Sequence, residues 1–262
     1  MRRLVAIFAA TAMLLAACSG GAERVIVAAG TTVVDSGLLD RVAASFEETH
    51  PGIRISIVGQ PTRLALELGR DGAADVTITH APEQEAEYVA DGLASAAATV
   101  FASRFVLVGP PELKSRFQGR ELPEILREVH LAGITFVSRG DGSGTHDKEV
   151  ESWQEAGLDP AGQPWYIVTG QGMGPTLLIA DQAGGVTLAE YGAYLAARDT
   201  ISIVDLEVDR AGLDNPYTAM VSASSGQGTA AEAFFDWLTS AEGRTAIQVA
   251  DEELFGEIVY QP

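Results

Sequence analysis

The sequence predicts an α/β fold in two lobes, each a mainly parallel sheet flanked by helices, with a ligand cleft between the lobes. Three observations carry this prediction. Short β-branched runs alternate with amphipathic segments from Arg24 onward, the pattern of parallel sheets covered on both faces. Two strand-like segments bounded by proline, FVLVGPP and NPYTAMVSA, suit a chain that crosses between lobes through ordered structure. Three loops that follow strands and precede helices are rich in glycine, at the strand ends where open α/β sheets hold ligands.

Taken in order, RVIVAAG reads as a buried strand and TTVVDSG as a turn. A helix follows from about Gly37 to His50, capped by Asp35 or Ser36, with Leu39 and Phe46 facing inward. IRISIVG is the second strand, followed by helical spacing through Leu64 to Leu68. ADVTITH is the third strand and PEQEAEYVADG the next helix. FVLVG is a strand, and a helix near Leu122 to Ala132, the strand ITFVS, a glycine-rich loop and a helix from about Thr145 to Ala156 come after it. WYIVT is a strand, with helices after Met173 and near Leu188 to Arg198. ISIVDLEV and YTAMVSA are strands, and helices around Ala230 to Leu238 and Ala241 to Val249 close the chain. There is no repeat, low-complexity linker or long charge block. The two crossovers then divide the chain into one lobe of residues 24–105 plus 217–262 and another of 106–216.

At 262 residues, 47% of them hydrophobic, the chain can bury a sizeable core. The formal net charge is −19, which excludes nucleic acid and anionic membrane surfaces as partners, since both are recruited by cationic patches. The first residues, MRRLVAIFAATAMLLAAC, have the parts of an export signal: Arg2 and Arg3, an apolar run from Leu4 to Leu15, and small residues before Cys18. That run is short for a membrane span. Leu15-Ala16-Ala17-Cys18 resembles the bacterial lipobox, so residues 1–17 are expected to be a lipoprotein signal peptide, Cys18 the lipidated residue and residues 18–23 a tether. Cys18 is the single cysteine, which excludes disulfides within the chain. The expected location is extracytoplasmic, with the lipid as the only membrane contact.

The most chemically loaded run is FVSRGDGSGTH, Phe136 to His146. Between a strand and a helix, its amides converge on the helix's positive end. Ser143 and Thr145 add hydroxyl donors, and Gly140, Gly142 and Gly144 let the backbone bend close to a ligand. Arg139 adds a full charge in a planar fork suited to an oxyanion. Ser143 or Thr145 also suits a simple capping role for the following helix. AAGTTVVDSG repeats the arrangement after the first strand, with Thr31 and Thr32 as paired hydroxyls. TGQGMGP follows WYIVT, though it reads more readily as a capped turn, because no charged or hydroxyl side chain lies between Gly170 and Pro175.

Enzyme chemistry finds no footing in these residues. Ser143, His146 and Asp141 crowd into one loop and cannot reach triad geometry, and G-x-S-x-G is missing because Asp141 holds its first glycine position. GDGSG lacks the lysine of a phosphate-binding P-loop and matches the dinucleotide pattern only in part, so no cofactor is implied. The four histidines, His50, His80, His130 and His146, lack metal-ligand spacing. His80 reads as a satisfied strand-end residue, His146 as a group that adds charge beside the loop at low pH, and Trp153, Trp165 and Trp237 as core or lobe-interface residues.

SRGDGSGTH followed by KE, EAGLDPAGQPWYIVTGQGMGPTL, NPYTAM and FFDWLTSAEG together resemble the tungstate-binding components of bacterial ABC importers, which are type II extracellular solute-binding proteins of periplasmic-binding-protein-like fold. The similarity runs from Val25 to about Val249. One departure is TTVVDSG: family members carry three threonines and a serine before two further residues and DSG, and here Gly30, Thr31 and Thr32 fill the last three positions of that run. In GQPTR, Arg63 departs from the usual small turn and adds a second charge near the expected cleft. The resemblance implies a monomer that holds a tetrahedral oxyanion between its lobes and delivers it to a permease. Its ligand residues would be Thr31, Thr32, Ser138, Arg139, Ser143, Thr145 and the amides of Met173 and Gly174.

Phosphate and molybdate are the alternative ligands. Phosphate-binding proteins of this architecture carry a similar R-x-D-G-S-G-T run, in which a carboxylate accepts a hydrogen bond from a protonated ligand and repels a dianion that has no proton to offer. Asp141 therefore favours phosphate if it faces the ligand, and tungstate if it turns away to brace the loop. Molybdate is nearly isosteric with tungstate.

Overall fold

The computed structural model describes residues 22–262, so Cys18 and the signal-like run lie outside the described residues. The chain opens with β1 (Glu23–Gly30), α1 (Thr31–Asp35), α2 (Leu38–Thr49), β2 (Ile53–Gln60), α3 (Thr62–Arg70), β3 (Val76–Thr79) and α4 (Pro82–Ala90). It continues with β4 (Ala94–Gly109), α5 (Lys114–Phe117), α6 (Leu122–Ala132), β5 (Phe136–Ser138), α7 (Gly144–Glu155), β6 (Tyr166–Val168), α8 (Met173–Ala183), β7 (Thr187–Glu190) and α9 (Tyr191–Ala197). It closes with β8 (Val204–Asp205), β9 (Asp214–Ser222), α10 (Gly228–Thr239) and α11 (Ala241–Phe255).

The result is α/β, with a seven-stranded sheet ordered β2-β1-β3-β9-β4-β7, β8 on β4, and a two-stranded sheet β5-β6. Parallel pairing, expected to predominate, joins β2-β1-β3 and β5-β6, with one further parallel bridge at Phe136↔Val186. The other pairs are antiparallel and make the sheet mixed. The physical reason is the pair β4 and β9. Each carries the chain once between the two halves, in opposite directions, and they pair from Ala94↔Ser222 to Arg104↔Asp214. Beyond Arg104, β4 pairs with β7 and β8 instead.

Side-chain alternation lets β4 serve two cores. Val106 and Val108 join the core of β1, α2, α10 and α11, whereas Phe105 and Leu107 face that of α6, Phe136 and Trp153. In the first core Phe46 is fully buried, edge-on to Phe234 at 5.1 Å and to Trp237 at 5.4 Å. Burying such a ring is worth about 1.5–3 kcal/mol. Val33 of α1 and Met173 and Leu177 of α8 belong to this same core.

Local differences from the sequence expectation have identifiable causes. TTVVD forms a helical turn rather than an open loop, and the next helix starts on Gly37 at φ +82° with no side-chain cap; Ser36 Oγ accepts from Leu38 N at 3.3 Å and donates to Val33 O. ASAAATVFASR extends the expected strand to 16 residues, because pairing with β9 overrides the weak strand preference of alanine. Thr187–Glu190, expected to begin a helix, is a buried strand, and the helix starts only where Glu190 accepts from Gly192 N and Ala193 N. ISIVDLEV pairs over two residues only, because Asp205 Oδ1 accepts from Glu207 N at 2.8 Å and Glu207 turns to φ +50°. Glu23, expected in a tether, already pairs with Ile53.

Candidate functional site

The loops β1–α1, β5–α7 and β6–α8 meet at one place. Each leaves the carboxyl end of a parallel strand, so their amides and helix starts face a common side. The centre is Arg139, only 1% exposed. Its Nη2 donates to Thr31 Oγ1 at 3.1 Å, joining positions 108 residues apart, and to Asp141 Oδ2 at 2.6 Å. Its Nε and Nη1 have no hydrogen-bond partner. Ser138 Oγ and Thr145 Oγ1, also buried, are unpartnered as well. Buried donors are nearly always satisfied, and these four unpartnered polar atoms within one loop and its flanks have the chemistry to meet an acceptor.

The remaining sequence-predicted residues gather here in different ways. Ser143 caps α7, its Oγ accepting from His146 N at 3.4 Å, which leaves its proton free to donate. Thr32 is fully buried, with Oγ1 and Tyr217 OH 3.2 Å apart. Met173 and Gly174 open α8, whose N-cap Gly172 makes no side-chain cap; Pro175 has no N–H, so these two supply the first free amides. Asp35 completes the convergence: a Cβ on Gly172 would stand 4.0 Å from its Oδ2. Burial raises the Asp35 carboxyl above its usual range, and the Arg139 charge opposes that rise.

Asp141 turns inward on its own loop. Oδ2 holds Arg139, and Oδ1 accepts from Ser143 N at 3.2 Å. It braces the guanidinium. Gly140 has φ +60°, and a Cβ there would overlap Val168 Cγ1, so glycine is required where β6 crosses the loop.

His80 is a buried spacer that sequence reading left outside the site. A Cβ on Gly144 would come within 2.7 Å of its Nε2, and one on Gly30 within 3.2 Å of its Cδ2. The ring therefore lies between the first and second loops, which only glycines permit. It stacks on Tyr217 at 4.8 Å, and its Nδ1 is 2.8 Å from Asn215 Oδ1. Burial lowers its pKa to about 4, the contact with Asn215 opposing that shift and the Arg139 charge adding to it, so the ring is neutral. Arg63, expected near the cleft, is instead exposed on α3 and paired with Glu67. A groove of about 610 Å³ borders His80 and Gly144 but includes neither Arg139 nor the hydroxyls. Among the described residues, no group of three His, Cys, Asp or Glu side chains is placed to hold a metal ion.

Comparison with known proteins places this chain in a family. Residues 17–242 match the PBP superfamily domain. The tungstate-binding protein TupA of Peptoclostridium acidaminophilum is 32% identical over an alignment covering 100% of this chain and 99% of that protein. The crystal structure of the tungstate ABC transporter from Geobacter sulfurreducens superposes with a TM-score of 0.77 at 34% identity, covering 86% of this chain and 97% of that one. The tungstate-binding protein TupA from Desulfovibrio alaskensis G20 gives a TM-score of 0.78 at 28% identity, covering 92% and 99%. These relatives are binding components of transport rather than enzymes. The chain belongs to the PBP superfamily and, within it, to the family of these tungstate-binding proteins.

Proposed function

We propose that this protein captures tungstate between two lobes, residues 24–105 plus 217–262 and residues 106–216, and hands it to the permease of an ABC importer. The observation that carries the reading is the buried Arg139, with Nε and Nη1 unpartnered beside the unpartnered hydroxyls of Ser138 and Thr145. A fully deprotonated tetrahedral dianion offers only acceptors, and Arg139, Ser138 and Thr145 hold donors that the protein leaves unmatched. Thr31, Thr32, Ser143 and the amides of Met173 and Gly174 complete the cradle. Donors fixed in advance in a water-excluded cleft act strongly on such charge. The acidic body does not oppose capture, because charges beyond about 8 Å are screened.

The inward turn of Asp141 supports tungstate over phosphate, since its carboxylate is committed to Arg139 and Ser143 N and is not presented to a protonated ligand. Molybdate, of nearly the same shape, fits the same cradle. The chain acts as a monomer, held outside the cytoplasm by a lipid on Cys18. No helix of the described residues is long and apolar enough to cross a membrane. Calorimetry with tungstate, molybdate, sulfate and phosphate, on protein lacking residues 1–18, tests the reading. Sub-micromolar tungstate binding, worth about −8 kcal/mol or more, is the expected result. Binding of phosphate alone contradicts it.

A further inference from the structure

Behind the cradle lies a carboxyl group that anion contact alone does not account for. Thr145, Glu149 and Trp153 follow one another at i, i+4 along α7, and all three are buried. Glu149 is 3% exposed, and its Oε1 accepts from Tyr166 OH of β6 at 2.6 Å. Ser138 of β5 and Trp153 of α7 approach the same carboxyl, yet Ser138 Oγ and Trp153 Nε1 make no well-aligned hydrogen bond to it or to any other group. Asp141, in the loop between β5 and α7, adds a negative field. Arg139, ion-paired with Asp141 at 2.6 Å, offsets part of that field. Burial pushes the Glu149 carboxyl up to about 7, against the hydrogen-bonding influence of Tyr166, Ser138 and Trp153. Tyr166 is itself pushed well above the usual phenol range by burial and by Glu149, so it stays a proton donor.

We propose that Glu149 is a positioning residue whose protonation decides whether the Ser138 hydroxyl donates into the cleft, so that oxyanion capture draws a proton onto Glu149. A serine hydroxyl has one proton to give. Ionised, Glu149 is acceptor-only and competes for that proton, turning the Ser138 lone pairs towards the ligand. Protonated, it stops competing, and Ser138 donates to the anion while a negative charge beside the dianion disappears. The proton comes from solvent and returns to it on release. A proton-linked affinity of this kind makes a near-neutral change in pH a lever on loading and unloading.

This inference rests on the oxyanion reading of Ser138 and Arg139, and the test separates the two. Tungstate affinity is measured by calorimetry for wild type and Glu149→Gln at pH values on both sides of 7, in buffers of differing ionisation enthalpy. Wild-type affinity should fall by up to about tenfold per pH unit above 7, with proton uptake on binding. In Glu149→Gln the slope and the uptake should both vanish. Binding by both proteins with the same pH profile overturns the role of Glu149 and leaves the oxyanion site standing. Absence of tungstate binding by wild type at every pH overturns both. Should the variant not fold, wild type alone decides: tungstate binding above pH 7 without proton uptake refutes the proposal.

Discussion

Arg139 Nη2 donates to Thr31 Oγ1 at 3.1 Å, and this one bond closes the first loop onto the second across 108 residues of chain. The same nitrogen holds Asp141, so Nη2 is spent on the protein while Nε and Nη1 have no partner within it. One guanidinium thus serves both as latch and as charge.

Arg139→Ala should therefore weaken tungstate binding by about 2–5 kcal/mol, as for loss of a buried charge partner. Arg139→Lys should restore only part, because an ammonium cannot present two further in-plane donors while one holds Thr31 and Asp141. Calorimetric affinities of the two variants check both statements.

Asp141→Asn removes the brace without removing bulk. The ligand-free protein should lose about 1.5–3 kcal/mol, the value of a hydrogen bond to a charged group. Tungstate supplies the missing negative charge, so the ligand-induced rise in Tm should exceed that of wild type. A smaller rise would place Asp141 on the ligand instead.

Gly140 and Gly142 both sit at positive φ, +60° and +68°, but only a Cβ on Gly140 has a neighbour to strike, Val168 Cγ1. Gly142→Ala should cost about 1–2 kcal/mol, the backbone strain alone. Gly140→Ala should cost more, and urea unfolding of the pair isolates the contact with Val168.

Stability should respond to pH through two buried groups of opposite sign. His80 has its folded pKa lowered to about 4 from 6.5, so the unfolded chain binds more protons between those values. Stability from this group is full above about 6.5 and is lost as pH falls towards 4, by up to about 3 kcal/mol at about 1.36 kcal/mol per unit. Glu149 has its folded pKa raised from 4.5 to about 7, so the folded protein binds more protons there and stability falls as pH rises through that window. The two slopes nearly cancel between about 4.5 and 6.5 in wild type, so urea unfolding between pH 4 and 7 should show stability falling with rising pH in His80→Gln, where Glu149 acts alone, and rising with pH in Glu149→Gln, where His80 acts alone.

The second loop was legible in sequence because its chemistry is contiguous: an arginine, hydroxyls and glycines lie within SRGDGSGTH, between a strand and a helix. Thr31 and Thr32 were legible for the same local reason. His80, Tyr217 and Asp35 were not, since their place at the site depends on which distant loops meet. A ring between Gly30 and Gly144 leaves no mark in either segment. Glu149 stood in the phrase KE after the loop, but its burial behind Ser138 emerges only when α7 packs against β5 and β6. The alternation of strands and helices was read correctly in outline. The long Ala-rich half of β4 and the strand Thr187–Glu190 were missed, because their conformation comes from partners across the sheet and not from their own preference.

The most direct measurement is a crystal structure of the protein with tungstate, the metal located by its anomalous scattering. The account predicts oxygens of one anion at about 2.7–3.2 Å from Arg139 Nε and Nη1, Ser138 Oγ and Thr145 Oγ1, with Asp141 still on Nη2. An anion bound elsewhere while those four atoms stay unpartnered would contradict it.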